Sequence, residues 1–157
     1  MQITRAVEYG AMGLICLARR GPGATVMLED ISQEEGIPSS FLGKIFQSLA
    51  KAGLTRSVRG TGGGLILVRL PEQISLLEVF EAIEGPIALQ RCLQTTPSCE
   101  RQVGCALCSV FEQAQDQVKD VFSRTTIADL VKKHQPLKPD PRHGITTGSR
   151  SVSKITR

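Results

Sequence analysis

Aromatic side chains are scarce in this sequence, which has 157 residues but no tryptophan, one tyrosine and five phenylalanines. Proteins that hold single-stranded nucleic acid stack its bases on aromatic rings, so we do not expect that class. The sequence also lacks an apolar run near the ~18–20 residues that a bilayer-spanning helix needs. Arg5 and Glu8 stand where a signal peptide would be uninterruptedly apolar. We therefore expect a cytoplasmic protein with no membrane partner.

Acidic residues are missing from residues 36–70, although the whole chain has 15 of them. That stretch holds five basic residues, which are Lys44, Lys51, Arg56, Arg59 and Arg69. The formal net charge of the chain is +4, and residues 134–157, with five basic residues and one acid, account for all of it. The rest of the chain is therefore neutral overall but contains one strongly basic segment. This distribution indicates a docking surface for a polyanion.

Apolar periodicity and turn residues predict a mainly α fold with a small β-wing, namely a winged helix-turn-helix followed by a dimerisation helix. Helices are expected over residues 4–20, 28–35, 40–52, 76–84, 108–123 and 127–133, and strands over 54–58 and 65–70 on either side of a glycine-rich tip. Gly36 ends the second helix, and one serine of Ser39 and Ser40 caps the third. Phe41 is expected on the buried face of the third helix.

Composition divides the chain into four parts: a DNA-binding domain over 1–85, a cysteine-rich loop over 86–107, a dimerisation helix region over 108–133 and a tail over 134–157. The tail is rich in Pro, Ser, Thr, Gly and basic residues, with too few apolar residues to fold, so we expect it to be disordered. An apolar stripe in the third part is expected to form the seam of a dimer; it consists of Phe111, Ala114, Val118, Val121 and Phe122.

The basic segment has the chemistry of a DNA-reading surface. One polar face of the third helix is expected to contact the major groove through Ser39, Ser40, Lys44, Gln47 and Lys51. At the hairpin tip, Arg59 is expected to reach the minor groove, and Gly60, Gly62, Gly63 and Gly64 to bring the backbone close to phosphate. A nucleotide phosphate loop is excluded, because it needs a strand, a glycine loop and a helix, with a Lys-Ser/Thr ending for the Walker type.

Four of the five cysteines are clustered at Cys92, Cys99, Cys105 and Cys108. Structural disulfides are rare in the cytoplasm, and clustered thiolates there indicate zinc or an iron–sulfur centre. The residues alone leave both metals open. The fifth cysteine, Cys16, lies among apolar residues of the first helix, so we expect it to be a buried small hydrophobe.

These features together resemble the bacterial iron–sulfur transcription regulators typified by IscR, NsrR and RirA. The resemblance covers roughly residues 1–133 and is carried by MQITRAVEYG, GIPSSFLGKIFQSLAKAGL, SVRGTGGGL, ISLLEVFEAIEG and the spaced cysteines. It implies a winged-helix homodimer that binds near-palindromic promoter DNA with an affinity set by the state of its cluster. It also implies DNA contacts by Ser40, Lys44 and the Arg59 wing, and cluster ligation by Cys92, Cys99 and Cys105.

The fourth ligand differs between subgroups of the family that this chain resembles. In the IscR type it is a histidine three positions after the third cysteine, where this chain has Cys108. In the NsrR type it is an acid of the first helix from the partner subunit, a position that Glu8 matches. We favour Cys108, because thiolate is the usual iron–sulfur ligand, and keep Glu8 as the alternative. By analogy with IscR we favour [2Fe–2S] over [4Fe–4S].

We therefore expect a cytoplasmic, homodimeric transcription regulator, and not an enzyme, that acts as a repressor and senses iron, cluster supply, nitric oxide or redox state. One alternative is a zinc-stabilised DNA-binding protein that does not sense. A second alternative is a redox or electron-transfer protein, although the sequence has no flavin or nicotinamide fingerprint.

Overall fold

The computed structural model describes residues 3–94 and 105–135, and it has the winged helix-turn-helix fold expected from the sequence. Its helices are α1 (Arg5–Arg19), α2 (Leu28–Glu35), α3 (Ser39–Lys51), α4 (Leu76–Glu84), α5 (Ala106–Arg124) and α6 (Ile127–Lys133). Strands β1 (Thr55–Val58) and β2 (Gly64–Leu67) form the wing, and single 3-10 turns span Pro71–Gln73 and Arg91–Leu93. Within the described residues, no helix combines the length and apolar character needed to cross a membrane.

The helix-turn-helix is built by α2 and α3, which are joined by a short turn. Gly36 ends α2 in the left-handed conformation, as expected, with φ of 65°. The Ser32 hydroxyl donates to the Ile37 carbonyl at 2.6 Å, and the Ile37 N–H donates back to the Ser32 carbonyl at 3.1 Å. These two bonds satisfy polar groups at the end of α2 and fix the direction in which α3 leaves the turn.

The wing is an antiparallel hairpin that is fastened to the segment before α2. Val58 pairs with Gly64 at its outer end, and Thr55 pairs with Leu67 at its base. Val26 forms an additional bridge to Leu65, with N···O distances of 3.0 and 2.8 Å in the two directions. An isolated two-stranded hairpin is marginally stable in water, so this third partner gives the wing a fixed position beside the helix-turn-helix.

Helix α6 belongs to the core of the winged domain. Its N-terminal residue Ile127 is fully buried in the cluster that contains Leu14, Leu42 and Leu49. The Ile127 N–H donates to the Ile74 carbonyl at 2.9 Å, which ties α6 to the chain before α4. Helix α6, which belongs to the predicted region 108–133, thus packs into the same core as the winged domain. At the start of the predicted tail, His134 Nε2 lies 3.2 Å from Glu35 Oε1 of α2; residues 136–157 lie outside the described residues. The domain boundaries remain predictions.

Two sequence-based expectations for α3 were wrong. Neither Ser39 nor Ser40 caps the helix, because Pro38 occupies the N-cap position and both serines lie inside the helix. Phe41 is 59% exposed, whereas Leu42 is fully buried. Successive helical residues point about 100° apart, so the orientation that buries Leu42 turns its neighbour away from the core.

Close packing of α1 against α3 depends on Gly13. A Cβ at this position would lie 2.8 Å from the Phe46 ring, whereas a Cβ at Gly43, in α3, would meet no heavy atom within 4 Å. We expect Gly13→Ala to lower the free energy of unfolding by about 1–3 kcal/mol through overpacking. Gly43→Ala should raise it by about 0.5–1 kcal/mol, because alanine is the better helix former. Urea unfolding of the two variants checks this; equal stabilities would contradict the packing.

Candidate DNA-binding face and cysteine site

The polar face predicted for α3 is present and open to solvent. Its side chains are all exposed, and they are Ser39, Ser40, Lys44, Gln47 and Lys51. The opposite face is held in the core by Leu42, Ile45, Phe46 and Leu49. A helix presented in this way has the width to enter a major groove, where hydroxyl and amide groups reach base edges and lysines neutralise phosphates.

Phe41 extends the α3 face in a way that the sequence did not reveal. It lies in the first turn beside Ser40, and its ring is largely exposed. Apolar side chains on a reading helix contact the methyl group of thymine. Phe41 therefore adds an apolar contact to a surface that was expected to be polar. The signal that could have found it is its position next to the two exposed serines.

The wing tip carries Arg59 and is braced by internal hydrogen bonds. The Thr25 hydroxyl donates to the Gly62 carbonyl at 2.9 Å, and the Gly63 N–H donates to the Gly60 carbonyl at 2.9 Å. A Cβ at Gly63 would lie 2.4 Å from the Val58 carbonyl oxygen, so only glycine fits there. The Gly63 N–H thus already has an acceptor within the tip, and a phosphate contact by the wing glycines stays a prediction.

Most of the basic residues in the acid-free segment, residues 36–70, are available to a ligand. Arg69 is the exception, because its guanidinium lies 2.6 Å from the Glu78 carboxylate. Glu78 also accepts from the Ser75 N–H in the capping box of α4. In the part of the chain that the structure describes, no ion pair holds Lys44, Lys51, Arg56 or Arg59. Their charges are thus uncompensated along α3 and the wing.

Three of the four clustered cysteines lie near the start of α5, where the thiols of Cys92 and Cys108 are in contact. Cys105 occupies the N-cap position, and the Cys108 N–H donates to the Cys105 carbonyl at 3.1 Å. Cys92 lies in the 3-10 turn of Arg91–Leu93, and its side chain is hydrogen-bonded to that of Cys108. Cys99 lies outside the described residues. Two segments that are distant in sequence thus bring their thiols to one helix N-terminus.

The surroundings of Cys108 favour the protonated form of its thiol. The hydrogen bond with Cys92 raises the pKa of the Cys108 thiol, and desolvation and the negative charges of Cys92, Cys105 and Glu112 raise it further. Among the described residues these cysteines are not joined in disulfides. A metal that takes their sulfurs as ligands must displace protons, so its binding is coupled to pH.

Helix α5 joins the cysteine site to the winged domain. Val118 and Phe122 pack against Val7, Phe80 and Ile87, and the rings of Phe80 and Phe122 lie 6.1 Å apart. The Leu89 N–H also donates to Gln115 Oε1 at 3.1 Å, which anchors the chain just before Cys92. Helix α5 therefore packs against its own chain through one side, which carries Gln115, Val118 and Phe122.

A second side of α5 remains uncovered. It presents the exposed apolar residues Leu107, Val110 and Val121. The stripe expected as a dimer seam is thus divided, because Val118 and Phe122 face the core of their own chain while Val121 faces outwards. Glu8, the alternative cluster ligand, is exposed on α1.

Residues 3–133 match the Rrf2 family, which is described as an iron-dependent transcriptional regulator. The chain belongs to the Rrf2 family. Among its relatives, the HTH-type transcriptional regulator IscR of Cronobacter sakazakii is 30% identical over 142 residues, covering 90% of this chain and 87% of that protein. IscR of Pectobacterium atrosepticum is 29% identical over 155 residues, covering 99% and 94%.

Solved structures of Rrf2-type regulators share this fold. CymR, the global cysteine regulator of B. subtilis, superposes with a TM-score of 0.71 at 27% identity, covering 86% of this chain and 99% of CymR. T. potens IscR gives a TM-score of 0.69 at 26% identity, covering 86% and 89%. The family resemblance inferred from the sequence is therefore confirmed, and the protein is a transcription regulator of the Rrf2 type.

Proposed function

We propose that this Rrf2 regulator binds promoter DNA as a homodimer and that an iron–sulfur cluster, held by Cys92, Cys99, Cys105 and Cys108, controls its DNA affinity. The observation that supports the proposal is the hydrogen bond between the Cys92 and Cys108 thiols, with Cys105 at the N-cap of α5, the helix that packs against the winged domain. The protein acts as a repressor by occupying its promoter site.

The DNA interface in this proposal consists of α3 and the wing. Lys44 and Arg59 are exposed and bear charges that are uncompensated within the described residues. The bridge between Val26 and Leu65 holds the wing beside the helix-turn-helix, so a groove contact by α3 and a flanking contact by the wing are made together. Positive charge on both elements supplies the phosphate contacts that position the protein on the duplex.

The donor set at the start of α5 suits an iron–sulfur cluster. Clusters of both the [2Fe–2S] and [4Fe–4S] types use four cysteine thiolates. Cys108 supports a fully cysteine-ligated centre, and [2Fe–2S] remains the favoured type. When bound, the cluster supplies an iron centre whose gain, loss or oxidation is the signal.

The signal can reach the DNA-binding face through α5. Cluster ligation fixes Cys92 relative to Cys105 and Cys108, and so fixes the chain before α5 relative to the helix itself. Val118 and Phe122 then pass any change in the position of α5 to Val7 and Phe80 of the winged domain. A cluster that favours one of two such arrangements shifts the population between them and thereby changes DNA affinity.

Visible absorption of the anaerobically purified protein tests the cofactor. We expect iron–sulfide charge-transfer bands together with equimolar iron and acid-labile sulfide for a [2Fe–2S] centre. A colourless protein with stoichiometric zinc at these cysteines would replace the proposal with the zinc-stabilised alternative. A coloured protein that exchanges electrons without any effect on DNA binding would favour the electron-transfer alternative.

The dimer seam is predicted to lie on the uncovered side of α5. Val121→Asp places a charge on both copies of this apolar surface, and burying such a charge is costly. Light scattering at micromolar concentration should give twice the chain mass for the parent protein and a shift towards the monomer for the variant. Ser123→Asp, which adds the same charge on another side of α5, should leave the dimer intact. A monomeric parent protein would contradict the seam.

A further inference from the structure

A second group of side chains that could hold a metal ion lies between α1 and α2. It consists of Cys16, Glu34 and Glu35, and one ligand atom of each lies within 4.8 Å of the other two. Cys16 is fully buried, as its sequence context predicted. Its thiol is not in a purely apolar environment, however, because its Sγ donates to Glu34 Oε2 at 3.4 Å.

Glu35 is the unusual member of this group, because it is a carboxylate side chain that is only 1% exposed. Its Oε1 lies 3.2 Å from His134 Nε2, and the His134 side chain is 13% exposed. Its Oε2 is also buried and has no hydrogen-bond partner among the described residues. An unpaired buried carboxylate oxygen is costly in a folded protein, so this atom indicates a missing cation or donor.

The charged side chains around Cys16, Glu34 and Glu35 suit a bound cation, because Arg19 and Arg20 offset part of the negative charge of the carboxylates. Glu34 accepts from Arg19 at 2.6 Å and from Arg20 at 2.9 Å, so two cations hold its carboxylate in place. Burial, followed by the charges and hydrogen bond of Glu34 and the charge of Glu35, raises the pKa of the Cys16 thiol to about 12. Cys16 therefore keeps its proton in the absence of a cation.

We propose that Cys16, Glu34 and Glu35 bind a divalent first-row transition cation, specifically Zn²⁺, beside His134, whose Nε2 lies 3.2 Å from Glu35 Oε1. Thiolate and carboxylate are donors that zinc takes in proteins, and water can fill its fourth position. On binding, the S–H bond of Cys16 breaks, its proton passes to solvent, and a Zn–S bond forms. The ion gives the unpaired oxygen of Glu35 a partner, and the two arginines offset the excess negative charge.

This site is separate from the proposed cluster site and has a different consequence. Cys16 lies in α1, the two glutamates end α2, and His134 directly follows α6. One ion would therefore link α1 to α2, which together position α3. The contact of Glu35 with His134 extends this link to the end of α6. Its expected effect is greater stability of the winged domain, which does not depend on the presence of the cluster.

The test uses the full chain with Cys92, Cys99, Cys105 and Cys108 changed to serine, so that Cys16 is the remaining cysteine. Titration with Co²⁺, a spectroscopic substitute for Zn²⁺, should produce a near-ultraviolet thiolate-to-cobalt band that saturates at one equivalent. Glu35→Gln in this background should weaken Co²⁺ binding by at least about tenfold. Glu112→Gln, which changes an exposed carboxylate elsewhere, is the matched control and should leave the binding unchanged.

The proposal is overturned if no thiolate band develops, or if the band is equally strong with Glu35→Gln. Circular dichroism identifies a background variant that has failed to fold. In that case zinc is counted by equilibrium dialysis on the protein with its own cysteines, where Cys16→Ser should bind one Zn²⁺ fewer. Equal zinc contents would overturn the proposal without affecting the cluster hypothesis.

Discussion

Changing Lys44 and Arg59 together to alanine should weaken promoter binding by on the order of 100- to 1,000-fold. Lys44 lies on the exposed face of α3 and Arg59 at the wing tip. A loss of this size corresponds to about 2.7–4.1 kcal/mol, or about 0.7–1 kcal/mol for each of the four contacts that the proposed two-fold symmetric dimer would lose. Fluorescence anisotropy with a promoter duplex at several salt concentrations measures the effect. The salt dependence should flatten by about one unit for each phosphate contact that is lost.

A matched control separates specific contacts from the general effect of charge. Lys132→Ala with Lys133→Ala removes the same number of positive charges from α6, where both side chains are exposed. This control should bind the duplex nearly as well as the parent protein. Full-strength promoter binding by the Lys44 and Arg59 double variant would contradict the proposed interface, whereas equal losses in both double variants would leave only a long-range electrostatic effect.

Changing Cys92 to alanine should remove the iron and change DNA affinity by about 5–150-fold, to that of the apo protein. Cys92 is the proposed ligand in the segment before α5, so its loss should disconnect that segment from Cys105 and Cys108. Iron and sulfide content, together with anisotropy titrations, measure both effects. Cys16→Ala, at a thiol that belongs to α1, should retain the iron–sulfur cluster. A Cys92→Ala protein with full cluster content would contradict the ligand assignment.

The fourth ligand is decided by comparing Cys108→Ala with Glu8→Ala. The position of Cys108 beside Cys92 and Cys105 supports ligation within one chain, whereas Glu8 is exposed on α1. We expect loss of iron in the Cys108 variant and normal iron content in the Glu8 variant. The reverse result would move the assignment to Glu8.

The fold was largely predictable because the residues that begin and end its helices and strands are of the types that favour those positions. Gly36 ends α2 and Ser75 caps α4, as expected from residue types that favour these positions. The glycine run between two β-prone segments likewise predicted the wing. The path of α6 back into the core was not predicted, because the burial of Ile127 depends on its pairing with Ile74, a contact between residues distant in sequence.

The candidate sites were predictable only where the chemistry is concentrated in one segment. The clustered cysteines and the acid-free stretch can be recognised in the sequence by their spacing and charge. The group around Glu35 cannot, because Cys16, Glu35 and His134 are separated in the sequence and come together only after α1, α2 and α6 have packed. Phe41 was missed because an apolar side chain next to the buried Leu42 was assigned to the buried face, although its position beside Ser39 and Ser40 indicated the exposed one.

The most direct test of cluster-controlled DNA binding is the affinity of holo and apo protein for one promoter duplex, measured anaerobically at one fixed salt concentration. The proposed coupling predicts dissociation constants that differ by about 5–150-fold. Restoring the cluster to the apo protein should recover the holo value, which excludes damage during cluster removal. Equal affinities with and without the cluster would contradict the sensing function and leave a metal-stabilised DNA-binding protein.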